Sequence, residues 1–124
     1  MLYYEQRTEV PRVAAKFQLK QAKNSEFYFN LKAGNGQTIL TSEFYKAKAS
    51  ALNGIESVKK NAPMAERYEN LTSTNDKPYF VLKAGNHEII GRSELYESED
   101  ARANGIESVK TNAPVAETEE VATA

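Results

Sequence analysis

The chain has no cysteine and no tryptophan, a single histidine and only four prolines among 124 residues. Without cysteine there is no disulfide framework, no thiolate nucleophile and no sulfur ligand for a metal. The lone histidine, His87, supplies no second imidazole for a metal and one candidate base near neutral pH. No apolar run approaches the length of a membrane helix. Glu5, Arg7, Glu9, Pro11 and Arg12 interrupt any signal-peptide core at the N-terminus, so a cytoplasmic protein is the expectation. An excess of one charge is also missing. Lys and Arg number 16 against 17 Asp and Glu, a net charge of −1, which argues against a strongly basic nucleic-acid binder.

What is present is ordinary for a folded domain: 40% hydrophobic and 27% charged residues. Its organisation is less ordinary. The stretch Asn53-Gly54-Ile55-Glu56-Ser57-Val58-Lys59 returns unchanged as Asn104 to Lys110, an offset of 51 residues. The same offset places Lys32-Ala33-Gly34-Asn35 on Lys83 to Asn86, and Asn61-Ala62-Pro63 on Asn112 to Pro114. Aligning residues 16–65 with 67–116 without a gap leaves 23 of 50 positions identical, so the unit is duplicated. A lone unit of this size buries little surface, and the two are expected to share one core. The division is an arm at 1–15, repeat one at 16–65, repeat two at 66–116 and an acidic tail at 117–124, all in one domain.

Within repeat one, Phe17 and Leu19 alternate with Gln18 and Lys20, the period of a half-buried strand. Phe27, Phe29 and Leu31 then face one way while Tyr28, Asn30 and Lys32 face the other. Asn35-Gly36 signals a hairpin with positive φ at both residues. A third strand is expected over 37–44, with Ile39 and Leu40, being adjacent, on opposite faces. Ala51, Ile55, Val58 and Ala62 form one stripe of an amphipathic helix. It is expected to close near Asn61 in the left-handed conformation, before Pro63. In repeat two, Ser98 is the expected N-cap, with Glu99 and Asp100 in the first turn; Ala47, the matching residue in repeat one, offers no cap. Pro78 stands at the start of the central strand, where no ladder donor is required. Each unit thus predicts β-β-β-α: an α+β fold in which a pseudo-twofold antiparallel sheet is covered by two helices.

The doubled Lys-Ala-Gly-Asn turn and Asn-Gly-Ile-Glu-Ser-Val-Lys helix resemble the YegP-like family of small bacterial proteins, a tandem-repeat domain of unknown function. The likeness spans about residues 16–116. It implies β(3)-α-β units in one sheet, the strand after each helix crossing to the other unit. That gives residues 66–72 and the tail from Val115 structural roles, and carries no activity, cofactor or metal with it. The arm at 1–15 and His87 depart from the pattern.

Several residues invite chemistry. Tyr28, Lys32, Tyr79 and Lys83 lie on the face opposite the expected core, in the way single-strand nucleic-acid modules interleave aromatics with cations. The plainer account is that tyrosine suits strands and lysine keeps an open sheet soluble. Asn35, Asn86 and His87 occupy turns that can form anion nests, although hairpin geometry alone explains them. Ser42-Glu43-x-Tyr45 and Ser93-Glu94-x-Tyr96 pair a hydroxyl with an acid but offer no base, so a junction role is preferred. Glu117, Glu119 and Glu120 lack the spacing of a calcium loop. No catalytic, metal or cofactor site is expected. The favoured reading is a non-enzymatic interaction module that binds a protein partner or a second copy through the uncovered face. Weak single-stranded nucleic-acid binding is the alternative, and a small-molecule enzyme around Ser93, Glu94 and His87 is the least favoured. Gly54 and Gly105, interior to the helices, predict a contact too close for a Cβ.

Overall fold

The computed structural model describes residues 14–121; most of the N-terminal arm expected at 1–15 lies outside them. Repeat one supplies β1 (Lys16–Gln21), β2 (Phe27–Lys32), β3 (Thr38–Thr41) and α1 (Lys48–Asn61). Repeat two supplies β4 (Tyr68–Thr72), β5 (Pro78–Lys83), β6 (Ile89–Arg92), α2 (Glu99–Asn112) and β7 (Glu117–Glu120). The seven strands form one sheet in the order β4-β5-β6-β3-β2-β1-β7. The repeats meet at β3 and β6, where Thr41 pairs with Arg92 in antiparallel register. After each helix the chain crosses to the far side: β4 joins β5, and β7 joins β1. The β1–β7 pair is parallel, with Lys16 opposite Glu117, so the sheet is mixed where a wholly antiparallel one was expected.

The helices cover one face. Phe17 and Leu19, Phe29 and Leu31, and Phe80 and Leu82 point into that layer and meet Ile55, Val58 and Val109 from the helices. The adjacent pair Ile39 and Leu40 does not split between faces. The ladder pairs Leu31 with Leu40 but Lys32 with Thr38, so Ile39 is the extra residue of a β-bulge. A bulge re-aims its side chain, and Ile39 joins Leu40 in the core, as Ile90 does at the matching bulge in β6. On the pseudo-twofold axis identical large side chains would collide with each other. Position 40 is therefore leucine and its counterpart is Gly91, where a Cβ would sit 2.5 Å from Leu40 Cδ2.

Two local expectations are corrected. In the β2–β3 turn only Gly36 has positive φ (85°), and Asn35 does not. The Gly36 amide donates to the Ala33 carbonyl and the Ala33 amide to the Gln37 carbonyl, which describes a type I turn followed by a left-handed residue. At the matching position His87 takes φ 73°. The helix ends differ as well: Asn61 is not left-handed, and Ala62 follows with φ −56°. Asn61 caps through its side chain, Nδ2 donating to the Ser57 carbonyl at 2.8 Å while Oδ1 accepts from Arg67 Nε. Ser98 caps α2 as expected, accepting from the Ala101 amide at 3.1 Å, and Ala47 makes no side-chain cap on α1.

Candidate functional site

The face away from the helices carries all four residues singled out for it, but not as one cluster. Asn30, Thr41, Arg92 and Val81 form a row across β2, β3, β6 and β5. β2 and β5 run in opposite directions, so Tyr28 and Lys83 lie on one side of this row and Lys32 and Tyr79 on the other. β2 and β5 are also three strand spacings apart, about 14 Å. The two tyrosines thus stand at diagonally opposite corners and make no continuous stacking ladder.

Each corner is dressed differently. The Tyr28 ring lies 5.4 Å from the ring of Phe44, with Lys20 Nζ 6.0 Å from its centroid. Phe44 is 60% exposed, and Leu95, its counterpart in repeat two, is 51% exposed. Three of the basic groups are answered by acids, whereas among the described residues Lys20 and Lys32 have no carboxylate within 4.0 Å. Lys83 Nζ is 2.6 Å from Glu69, Lys16 Nζ 3.4 Å from Glu119 and Arg92 Nη2 3.7 Å from Glu43.

The turns and the Ser-Glu-x-Tyr motifs serve structure first. Asn35 Oδ1 accepts from the Gln37 amide and Asn86 Oδ1 from the Glu88 amide, which turns these side chains inward to their own loops. Ser42 Oγ accepts from the buried Phe29 amide at 2.9 Å and donates to the Glu43 carbonyl at 2.7 Å. Ser93 does the same with Phe80 and Glu94. Each serine hydroxyl thus satisfies a strand amide at the point where the ladder stops, the junction role expected of it. Tyr45 stacks on Phe29 at 6.3 Å and 10°, Tyr96 on Phe80 at 6.3 Å and 9°. His87 is exposed, and among the described residues no three acid or imidazole side chains gather where they could hold a metal.

The repeated motifs meet across the repeat junction. The β2–β3 turn of repeat one and the Glu94-Leu95-Tyr96 stretch and α2 of repeat two enclose a groove of about 260 Å³, its walls including Ala33, Ile39, Tyr96, Asn104 and Ser108. The symmetry mate lies between the β5–β6 turn and the Glu43 to Tyr45 stretch, with Ile90 and Arg92 in its wall. Burial raises the Tyr45 hydroxyl above the usual phenol range, helped by Glu43 and by Glu88 from the other repeat; burial and then Glu94 do the same to Tyr96.

A family profile described as a domain of unknown function, DUF1508, matches residues 22–69 and 73–120, once in each repeat. The chain belongs to this family. Among DUF1508 relatives, the UPF0339 protein of Acinetobacter baylyi is 59% identical over 100 residues, covering 81% of this chain and 90% of the relative. The UPF0339 protein YegP of Escherichia coli K12 is 53% identical over 100 residues, covering 81% and 91%. Solution NMR structures of the Shewanella oneidensis UPF0339 protein and of E. coli YegP superpose with TM-scores of 0.83 and 0.84 at 49% and 47% identity, covering 88% and 92%, and 90% and 97%, of the two chains. The YegP-like resemblance and the tandem fold are thereby established. The E. coli structure is itself titled a protein of unknown function. For a DUF1508 chain the site must therefore be argued from its own residues, and three of them were not legible as site residues in the sequence. Phe44 and Leu95 occupy the variable position of the Ser-Glu-x-Tyr motif, where nothing marks them as exposed, and Arg92 falls in no motif.

Proposed function

We propose that the protein is a non-enzymatic interaction module whose uncovered sheet face receives a protein surface. The observation that carries this reading is the pair of large apolar side chains, Phe44 at 60% and Leu95 at 51% exposure, placed at equivalent positions of a two-fold arrangement. Large apolar anchors with paired charges nearby suit a protein interface, because the anchors drop into pockets while the rim keeps water and wrong partners out. Phosphate binding suits this face less: Lys83 and Arg92 are already answered by carboxylates, which leaves Lys20 and Lys32 on one strand pair, and the two tyrosines are too far apart to stack consecutive bases. The junction roles of Ser42, Ser93, Tyr45 and Tyr96 leave the enzyme reading without a nucleophile and base pair.

A photo-crosslinking residue placed at position 44, with a control at exposed Lys60 on α1, tests this in cells. A crosslinked band specific to position 44 is expected. Its mass distinguishes a second copy from another protein, and Leu95→Glu should weaken it. The same pattern from both positions, or none from position 44, would overturn the reading.

A further inference from the structure

The two junction grooves share their turn and Ser-Glu-x-Tyr walls, although no α1 residue lines the second and Glu88 stands there where the first has Gln37; one further difference points to a ligand. Eight of the twelve positions lining the first groove carry the same residue at the counterpart 51 residues away, against 23 of 50 over the whole alignment. Asn104 and Glu94 are exposed and identical to Asn53 and Glu43, so core packing does not explain their retention in both repeats, whereas Asn35 and Asn86 are retained by their turns.

In the second groove the carboxylate of Glu43 faces the chain's own Arg92 guanidinium, Oε2 to Nη2 3.7 Å. In the first groove the pseudo-twofold puts Glu94 in place of Glu43 and Thr41 in place of Arg92. Among the described residues Glu94 has no basic partner. The second groove thus pairs its repeated carboxylate with a guanidinium from within the chain, and the first has the carboxylate without that partner.

We propose that the groove between the β2–β3 turn and α2 binds a guanidinium group. Glu94 receives the planar fork of the guanidinium, and Ala33, Ile39 and Tyr96 line the path of the aliphatic stem. The size agrees: about 260 Å³ lies below the range of about 300–1,000 Å³ typical of whole small-molecule sites and suits one side chain. Leu95 lines this groove as well as belonging to the exposed apolar pair, but the guanidinium contact is Glu94, so loss of the Phe44 crosslink and loss of arginine binding are separate outcomes.

The test is an NMR titration of the full chain with free L-arginine and, separately, with an end-blocked Gly-Arg-Gly peptide; citrulline, an uncharged isostere, is the control. Saturable shifts at Glu94, Tyr96 and Asn104 with millimolar affinity are expected, absent with citrulline. Stronger binding of the peptide identifies an arginine side chain as the natural ligand, and stronger binding of the amino acid identifies a free metabolite. Glu94→Gln should reduce the affinity at least tenfold. Thr41→Arg should do the same while leaving the carboxylate in place, by supplying within the chain the guanidinium that Arg92 supplies in the other groove. Equal shifts around Glu43, shifts unchanged in both variants, or no shifts at tens of millimolar would overturn the proposal.

Discussion

At the scale of single residues, the two interior glycines of the helices have a definite cause. A Cβ on Gly105 would overlap the Tyr96 hydroxyl and sit 2.6 Å from Cζ; on Gly54 it would overlap the Tyr45 hydroxyl, with Cζ at 2.8 Å and Phe29 Cε2 at 3.1 Å. The close contact anticipated from the sequence exists, but the neighbour is a tyrosine ring at the start of the helix in the same repeat. Alanine gains about 1 kcal/mol of helix propensity, while overpacking a ring costs about 1–3 kcal/mol. Gly105→Ala is expected to lose about 1 kcal/mol net in urea unfolding. In a Tyr96→Ala background, which removes the ring, the same substitution should become stabilising, and equal losses in both backgrounds would place the strain elsewhere. The left-handed turn residue gives a second case. His87 sits at φ 73° where repeat one has glycine. A side chain there is strained by about 1–2 kcal/mol, partly offset because glycine is freer when unfolded. His87→Gly is expected to raise stability by about 0.5–1 kcal/mol, measured as a higher urea midpoint; a lower midpoint would show that the imidazole makes a contact worth more than the strain.

At the scale of elements, the sequence told which segments are strands and helices but not how their ends close. β2 and the helical stripe were legible because alternation and a 3.6-residue period are local signals. The bulge that brings Ile39 and Leu40 to one face is a property of two strands in register, and no single strand announces it. The side-chain caps by Asn61 and Asn112 were likewise hidden behind the commoner left-handed ending. The junction of α1 with β4 gives a measurable consequence. Tyr68 donates its hydroxyl to the Ala62 carbonyl at 2.7 Å and packs edge-on against Phe80. Burial, and then the nearby Glu107 carboxylate, hold the Tyr68 hydroxyl well above its usual value of 10.0. The unfolded chain therefore releases this proton first as pH rises, so stability is full below about pH 10 and falls above it. Tyr68→Phe is expected to lose about 1 kcal/mol at pH 8, the worth of one hydrogen bond. It should also lose less than the parent protein between pH 8 and pH 11. Parallel losses over that interval would remove Tyr68 from the alkaline transition.

At the scale of the whole molecule, duplication made the fold readable and hid the candidate sites. An offset of 51 residues shows that two units exist, and the need to bury surface shows that they pack together. It does not show that the turn of one repeat faces the Ser-Glu-x-Tyr stretch of the other, because the axis that pairs them runs between β3 and β6. It also leaves the sheet unequal at its edges: β1 has β7 beside it, whereas no described strand flanks β4 on its outer side. The acidic tail is thus part of the architecture. Glu119 meets Lys16, Glu120 lies 2.6 Å from Lys48, and the Val121 amide donates to the Leu19 carbonyl. These surface ion pairs are each worth little, so the contribution of β7 rests on its backbone ladder, about 0.5–1.5 kcal/mol per hydrogen bond less the cost of ordering the segment. Ending the chain at Pro114 is expected to cost about 1–3 kcal/mol, which lowers Tm by about 4 °C per kcal/mol for a domain of this size. The loss should also be local. Amides of β1 should exchange with solvent faster after truncation while those of β4 keep their rates, because β7 shields only one edge. An unchanged Tm with unchanged β1 exchange would mean that β7 lies on the edge without holding it.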